Sequence, residues 1–209
     1  MRVRRGGPSS GRPALPSTMC ERGFSLVEVL VAVAIVVVMA AVATPPFRAH
    51  LAEVHLLGAG QEFKTRFRLA YSEAVRSGVY TAIRFERDEG EGVWYSVYAD
   101  GNANGVLSTD IASGVDRLVA GPFPLWGASP AVRVGINPGV PAPPPDHGLL
   151  SGDPIRFGRS DILSFSPLGT ATPGTFYLAG DVAQAAVRVT GGSARVRMMI
   201  WRGGRWRER

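Results

Sequence analysis

Asp100-Gly101-Asn102-Ala103-Asn104-Gly105 puts oxygen-bearing side chains at alternating positions with a glycine at the sharp turn, the way a calcium-binding loop begins. The carboxylate that closes such a loop is missing, because Ile111 stands at that position, and Asp110 or Asp116 would have to substitute. The same residues also suit an Asx- and Gly-rich turn between strands, which needs left-handed backbone geometry. A second constellation is Arg195, Arg197, Arg202, Arg205, Arg207 and Arg209, interleaved with Trp201 and Trp206. Arginine binds phosphate and tryptophan stacks on bases, so this composition fits a nucleic-acid patch as well as a solvated strand with a frayed tail. His50, His55 and His147 are too few for a zinc site, and the first two are five apart, on different helix faces. The sequence holds no Ser/His/Asp, Cys/His or phosphate-loop arrangement, and Gly191-Gly192 alone is a turn signal. No enzyme is expected.

A third group is a carboxylate in an unfavourable solvent. From Phe24 to Ala43, twenty residues carry Glu28 as their only charge, which is the length needed to cross a bilayer core as a helix. The twelve strongest apolar residues contribute about −4 to −7 kcal/mol, against at most about +3 for the one carboxylate. Insertion is favoured, and a carboxylate kept inside such a span points to function because it is costly there.

Arg22-Gly23-Phe24-Ser25-Leu26-Val27-Glu28 followed by this apolar run resembles the processing site of type IV pilins and type II secretion pseudopilins. The resemblance implies that a prepilin peptidase cuts between Gly23 and Phe24 and methylates the new amine. Glu28 would then be the acidic residue near the new terminus that acts in assembly. An ordinary membrane anchor explains the apolar run but not Glu28 or Gly23. A cleaved secretory signal could use Ala41-Val42-Ala43, but its apolar region is shorter and uncharged. Further on, Leu163-Ser164-Phe165-Ser166-Pro167-Leu168-Gly169, Gly174-Thr175-Phe176-Tyr177-Leu178 and the final Arg195-Val196-Arg197 resemble the H-type pseudopilins, a group that includes FimT/FimU-like minor type IV pilins. One departure is Ala194, where the family often has glycine. The implied partners are other pseudopilins or pilins, the peptidase, an inner-membrane assembly platform and membrane lipid. DNA, through Arg195, Arg197, Arg202 and Arg205, belongs to the alternative of a minor type IV pilin. The implied location is the bacterial inner membrane, crossed once, with the N-terminus cytoplasmic and the C-terminal domain periplasmic.

The elements that must position these groups follow from composition and period. The chain has 209 residues and a net charge of +6, but residues 1–23 hold five Arg and one Glu. Without them 18 basic residues face 16 acidic ones, a net of +2, so no global case for nucleic-acid binding remains. Residues 1–18 are rich in Arg, Gly, Pro and Ser and lack periodicity; their arginines keep the N-terminus cytoplasmic. Met19 would start a compact leader, and the only cysteine, Cys20, lies within it. The expected division is a leader over 1–23, a membrane and assembly helix over 24–46, an amphipathic helix over 47–77 and a β-rich periplasmic domain over 78–209.

Pro45-Pro46 should kink or break the helix, and the resemblance favours a helix that continues. Phe47, Leu51 and Val54 form one apolar face, and Leu56, Phe63, Phe67, Ala70 and Ala74 an adjoining one, with Gly78 as C-cap. Beyond Gly78 the period is two. Strands are expected at 79–85, 93–98, 117–120, 131–136, 155–157, 162–165, 175–178, 185–190 and 195–201. Residues 137–154 read as a long exposed loop. A helix followed by an antiparallel sheet gives the α+β class, with a pilin-like arrangement of a long helix packed on the sheet.

Overall fold

The computed structural model describes residues 23–88, 92–125, 131–181 and 183–209, and of 43–46, 48, 49 and 88 the backbone alone. Residues 1–22, including Met19 and Cys20 of the expected leader, lie outside the described residues. The chain divides into two compact units, Met1–Ala43 and Thr44–Arg209.

In the first unit, helix α1 (Leu26–Ser77) begins. Ser25 caps it: its hydroxyl accepts the Val27 amide at 3.2 Å and its carbonyl accepts the Val29 amide at 3.2 Å, satisfying donors that the first turn leaves open. Every described side chain from Phe24 to Val42 is exposed. Among the described residues no helix is long and apolar enough to cross a membrane; the described side chains of this run stop at Val42, and the run in the sequence goes on to Ala43. The backbone remains helical through Pro45-Pro46, the outcome the family resemblance favours.

In the second unit, α1 buries Leu56, Ala59, Phe63, Phe67, Ala70 and Ala74, spaced three and four apart on one face. Phe47, Leu51 and Val54 are exposed instead of continuing this core. Leu56 follows Val54 by two positions, about 200° around the helix, so the two stripes lie on nearly opposite sides rather than adjoining ones. At Gly60 the helix comes close to the strand beneath: an added Cβ would lie 2.3 Å from Met198 Cε. The helix ends at Gly78, whose φ of 72° is left-handed and whose amide donates to Ala74 O at 3.0 Å.

The β-rich part is antiparallel, as the α+β reading expects, and its strands form two sheets. The first has the order β3-β2-β1-β6, from β1 (Thr81–Asp88), β2 (Gly92–Ala99), β3 (Arg117–Pro124) and β6 (Ile162–Phe165). The second has the order β10-β9-β8-β7-β4, from β4 (Val132–Val134), β7 (Gly174–Gly180), β8 (Gln184–Val189), β9 (Val196–Arg202) and β10 (Arg205–Glu208), with β5 (Ile155–Phe157) also paired to β7. Phe85 of the first sheet stacks on Phe157 and Phe176 of the second at 5.7 and 5.6 Å, and Phe67 of the helix meets all three rings edge-on. This seam joins the helix to both sheets.

Two elements go beyond the sequence reading: the short helix α2 (Ser108–Ser113), and β10, since the strands expected from the sequence end at 201. The segment 137–154 is mostly exposed, but Val140 and Leu150 are buried against Tyr177, Ala186 and Met199 on the outer face of the second sheet. The segment therefore covers that face.

Candidate functional site

Three places carry the residues singled out in the sequence. Just before α1, Gly23, Phe24 and Ser25 are non-helical and exposed, and among the described residues nothing beyond its chain neighbours stands within 4 Å of where a Cβ on Gly23 would lie. The Gly23–Phe24 bond thus lies just outside the helix. Glu28 is exposed in the first turn, where the helix dipole favours a negative charge.

The loop from Asp100 to Asp116 is closed by its own groups. Asp100 Oδ1 accepts the amides of Asn102 and Ala103, and its Oδ2 accepts that of Gly105, at 2.8–2.9 Å. Asp116, buried, accepts the amides of Gly101 and Leu107. Asn102 and Asn104 turn their amide nitrogens, not their oxygens, to Asp110 Oδ2 at 3.0 and 2.9 Å. These bonds, with Asn104 the larger cause, hold the Asp110 carboxyl below its ordinary range. Asp110 and Asp116, the two candidates for the closing carboxylate, are thus held by side-chain and backbone amides respectively. Ile111, at that position, packs with Val106, Ala82 and Ile162 on the first sheet. Among the described residues, no three His, Cys, Asp or Glu groups come together to hold a metal ion.

The basic C-terminus is a hairpin, and strand alternation divides it. Val196, Met198 and Ile200 face the main core, whereas Met199 and Trp201 face the outer cluster. Arg195 and Arg197 therefore go with the outer face. Arg202 pairs with Arg205 and Ile200 with Arg207, which puts these three arginines on the helix side. The four arginines read together as one patch are on two faces. The tryptophans are occupied: their rings lie 5.9 Å apart against the outer cluster, and Trp206 Nε1 donates to Pro141 O at 2.9 Å. Between the hairpin and α1 lies a groove of about 620 Å³ lined by Glu53, Arg202, Arg205, Arg207 and Arg209. Glu53, its side chain mostly buried, is ion-paired to Arg202. Sequence reasoning missed the part of Glu53. The alternation Arg205-Trp206-Arg207 was the available sign of a two-faced strand.

A capped apolar helix start with an accessible Gly–Phe bond, leading into a helix packed on antiparallel sheets, defines a pilin-like subunit. The prokaryotic N-terminal methylation motif matches residues 18–44, and the profile of the type II transport protein GspH matches residues 59–194. The chain belongs to the GspH family of structural pilin-like subunits. No curated protein and no solved structure matches it.

Proposed function

We propose that this chain is a minor pseudopilin of a type II secretion system, processed between Gly23 and Phe24 and methylated on Phe24. In this reading residues 1–23 are a cytoplasmic leader, 24–46 hold the chain in the inner membrane and pack in the filament core, and 47–77 carry the domain formed by 78–209 into the periplasm. Its partners are other pseudopilins, the prepilin peptidase and the inner-membrane assembly platform. One observation carries the reading: the apolar side chains from Phe24 to Val42 are exposed throughout, so lipid or neighbouring helices must cover them.

Glu28 then has a defined task. Within its own helix it is poorly aimed at the Phe24 amine. In a packed filament the amine of an adjacent subunit can approach it, and in low dielectric that pair outweighs an exposed one and sets axial register. Glu28→Leu should be cleaved and stay in the membrane, yet fail to crosslink to its pseudopilin neighbours. Wild-type crosslinking and secretion by that variant would contradict the assignment. A minor type IV pilin that binds DNA is the alternative. The division of the arginines between two faces and the packing of both tryptophans weigh against it.

A further inference from the structure

The hairpin groove is built before any partner arrives. β10 is registered on β9 from Arg205↔Arg202 to Glu208↔Met199. The Arg209 amide donates to Met198 O at 2.9 Å, and Lys64 of α1 donates to Arg209 O at 3.2 Å. Four arginines line the groove, and Glu53 is the one acidic side chain among its described lining residues. Arg205 and Arg207 are exposed, and among the described residues neither makes an ion pair. The groove's residues fall outside both stretches matched by the family profiles, 18–44 and 59–194.

The chemistry of the site selects its ligand. Glu53 on Arg202 is a carboxylate already seated there. Guanidinium forks match further carboxylates in the same planar fashion. Single-stranded nucleic acid needs aromatic platforms beside its cations, and here Trp201 and Trp206 sit on the opposite face with their rings packed. We infer that the groove lined by Arg202, Arg205, Arg207 and Arg209 docks an acidic segment of a partner protein, whose carboxylates pair with Arg205 and Arg207. The inference rests on the reading of this chain as an assembly subunit and names the chemistry of one of its contacts.

The test uses the mature full chain in detergent micelles and a fluorescent hexaglutamate peptide, with hexaglutamine as control, followed by anisotropy. The wild type should bind hexaglutamate and not hexaglutamine, with affinity falling as salt rises. Arg205→Gln/Arg207→Gln should weaken binding about tenfold or more, and Arg195→Gln/Arg197→Gln, on the other face, less than about twofold. Glu53→Gln, which frees Arg202, should tighten it several-fold. Equal losses in the two double variants, or no hexaglutamate binding at low salt, would overturn the inference. So would a short DNA duplex that binds more tightly than the peptide and is lost in Arg205→Gln/Arg207→Gln. The assay involves no filament, so its failure would leave the processing and assembly reading intact, and failure of the Glu28→Leu experiment would leave the groove intact.

Discussion

Replacing Phe67 by alanine should remove the contact that ties α1 to both sheets. The side chain is fully buried, and its ring centroid lies 6.2 Å from Phe63, 6.3 Å from Phe85, 5.9 Å from Phe157 and 6.4 Å from Phe176. Truncating a buried phenylalanine costs about 3–5 kcal/mol through lost transfer energy and the cavity left behind. Edge-on aromatic pairs add about 0.5–1.5 kcal/mol beyond area, and three edge-on rings and the tilted Phe63 surround this ring, so the upper end of the truncation range applies. At about 2–4 °C per kcal/mol for a chain of this size, the melting midpoint should fall by about 10–20 °C. Leu69, two residues along the same helix and largely exposed, serves as control, and its change to alanine should cost under about 0.5 kcal/mol. Circular dichroism melts of the mature protein in detergent measure both. A Phe67→Ala midpoint within a few degrees of wild type, or a Leu69→Ala effect of equal size, would refute the placement of the seam.

Asp116→Ala leaves the Gly101 and Leu107 amides without their acceptor and should cost about 2–4 kcal/mol by thermal melting. Added calcium should leave the wild-type midpoint unchanged, because the carboxylates of Asp100 and Asp116 already accept backbone amides; a rise of several degrees at millimolar calcium would contradict this. The phenols of Tyr95 and Tyr177 are pushed above their ordinary value, chiefly by burial. An acid whose folded pKa is raised keeps its proton in the fold while the unfolded chain releases it. The stabilising contribution is therefore full below about pH 10 and is lost as pH climbs through the raised folded values. Melting midpoints should fall on that alkaline limb, and less steeply in Tyr95→Phe/Tyr177→Phe.

Much of this fold is legible in the sequence because burial imposes a period. The stripe from Leu56 to Ala74 and the strands Ile155–Phe157 and Ile162–Phe165 stand where spacing puts them. What the sequence left open depends on long-range partners. Phe47, Leu51 and Val54 have the spacing of a core stripe, and only the position of the sheets shows that their side of the helix is uncovered. The division of the strands into two sheets rests on pairings such as β1 with β6, far apart in sequence, which no local pattern contains. Val140 and Leu150 sit among prolines and glycines that read as loop, and Tyr177 and Met199 supply the surface they cover. At the sites, the Gly23–Phe24 motif needs no tertiary context. The arginines did: strand alternation decides which of them meet, and Glu53, on the helix, decides what they meet.

A pilin-type subunit of the kind proposed is matured at its N-terminal motif. Mass spectrometry of the protein isolated from membranes tests it most directly. The mature chain should begin at Phe24 with a methylated amine, and Gly23→Val should accumulate uncut, because its side chain would obstruct a peptidase subsite shaped for glycine. A wild-type N-terminus at Thr44, or one that retains residues before Phe24, would contradict it.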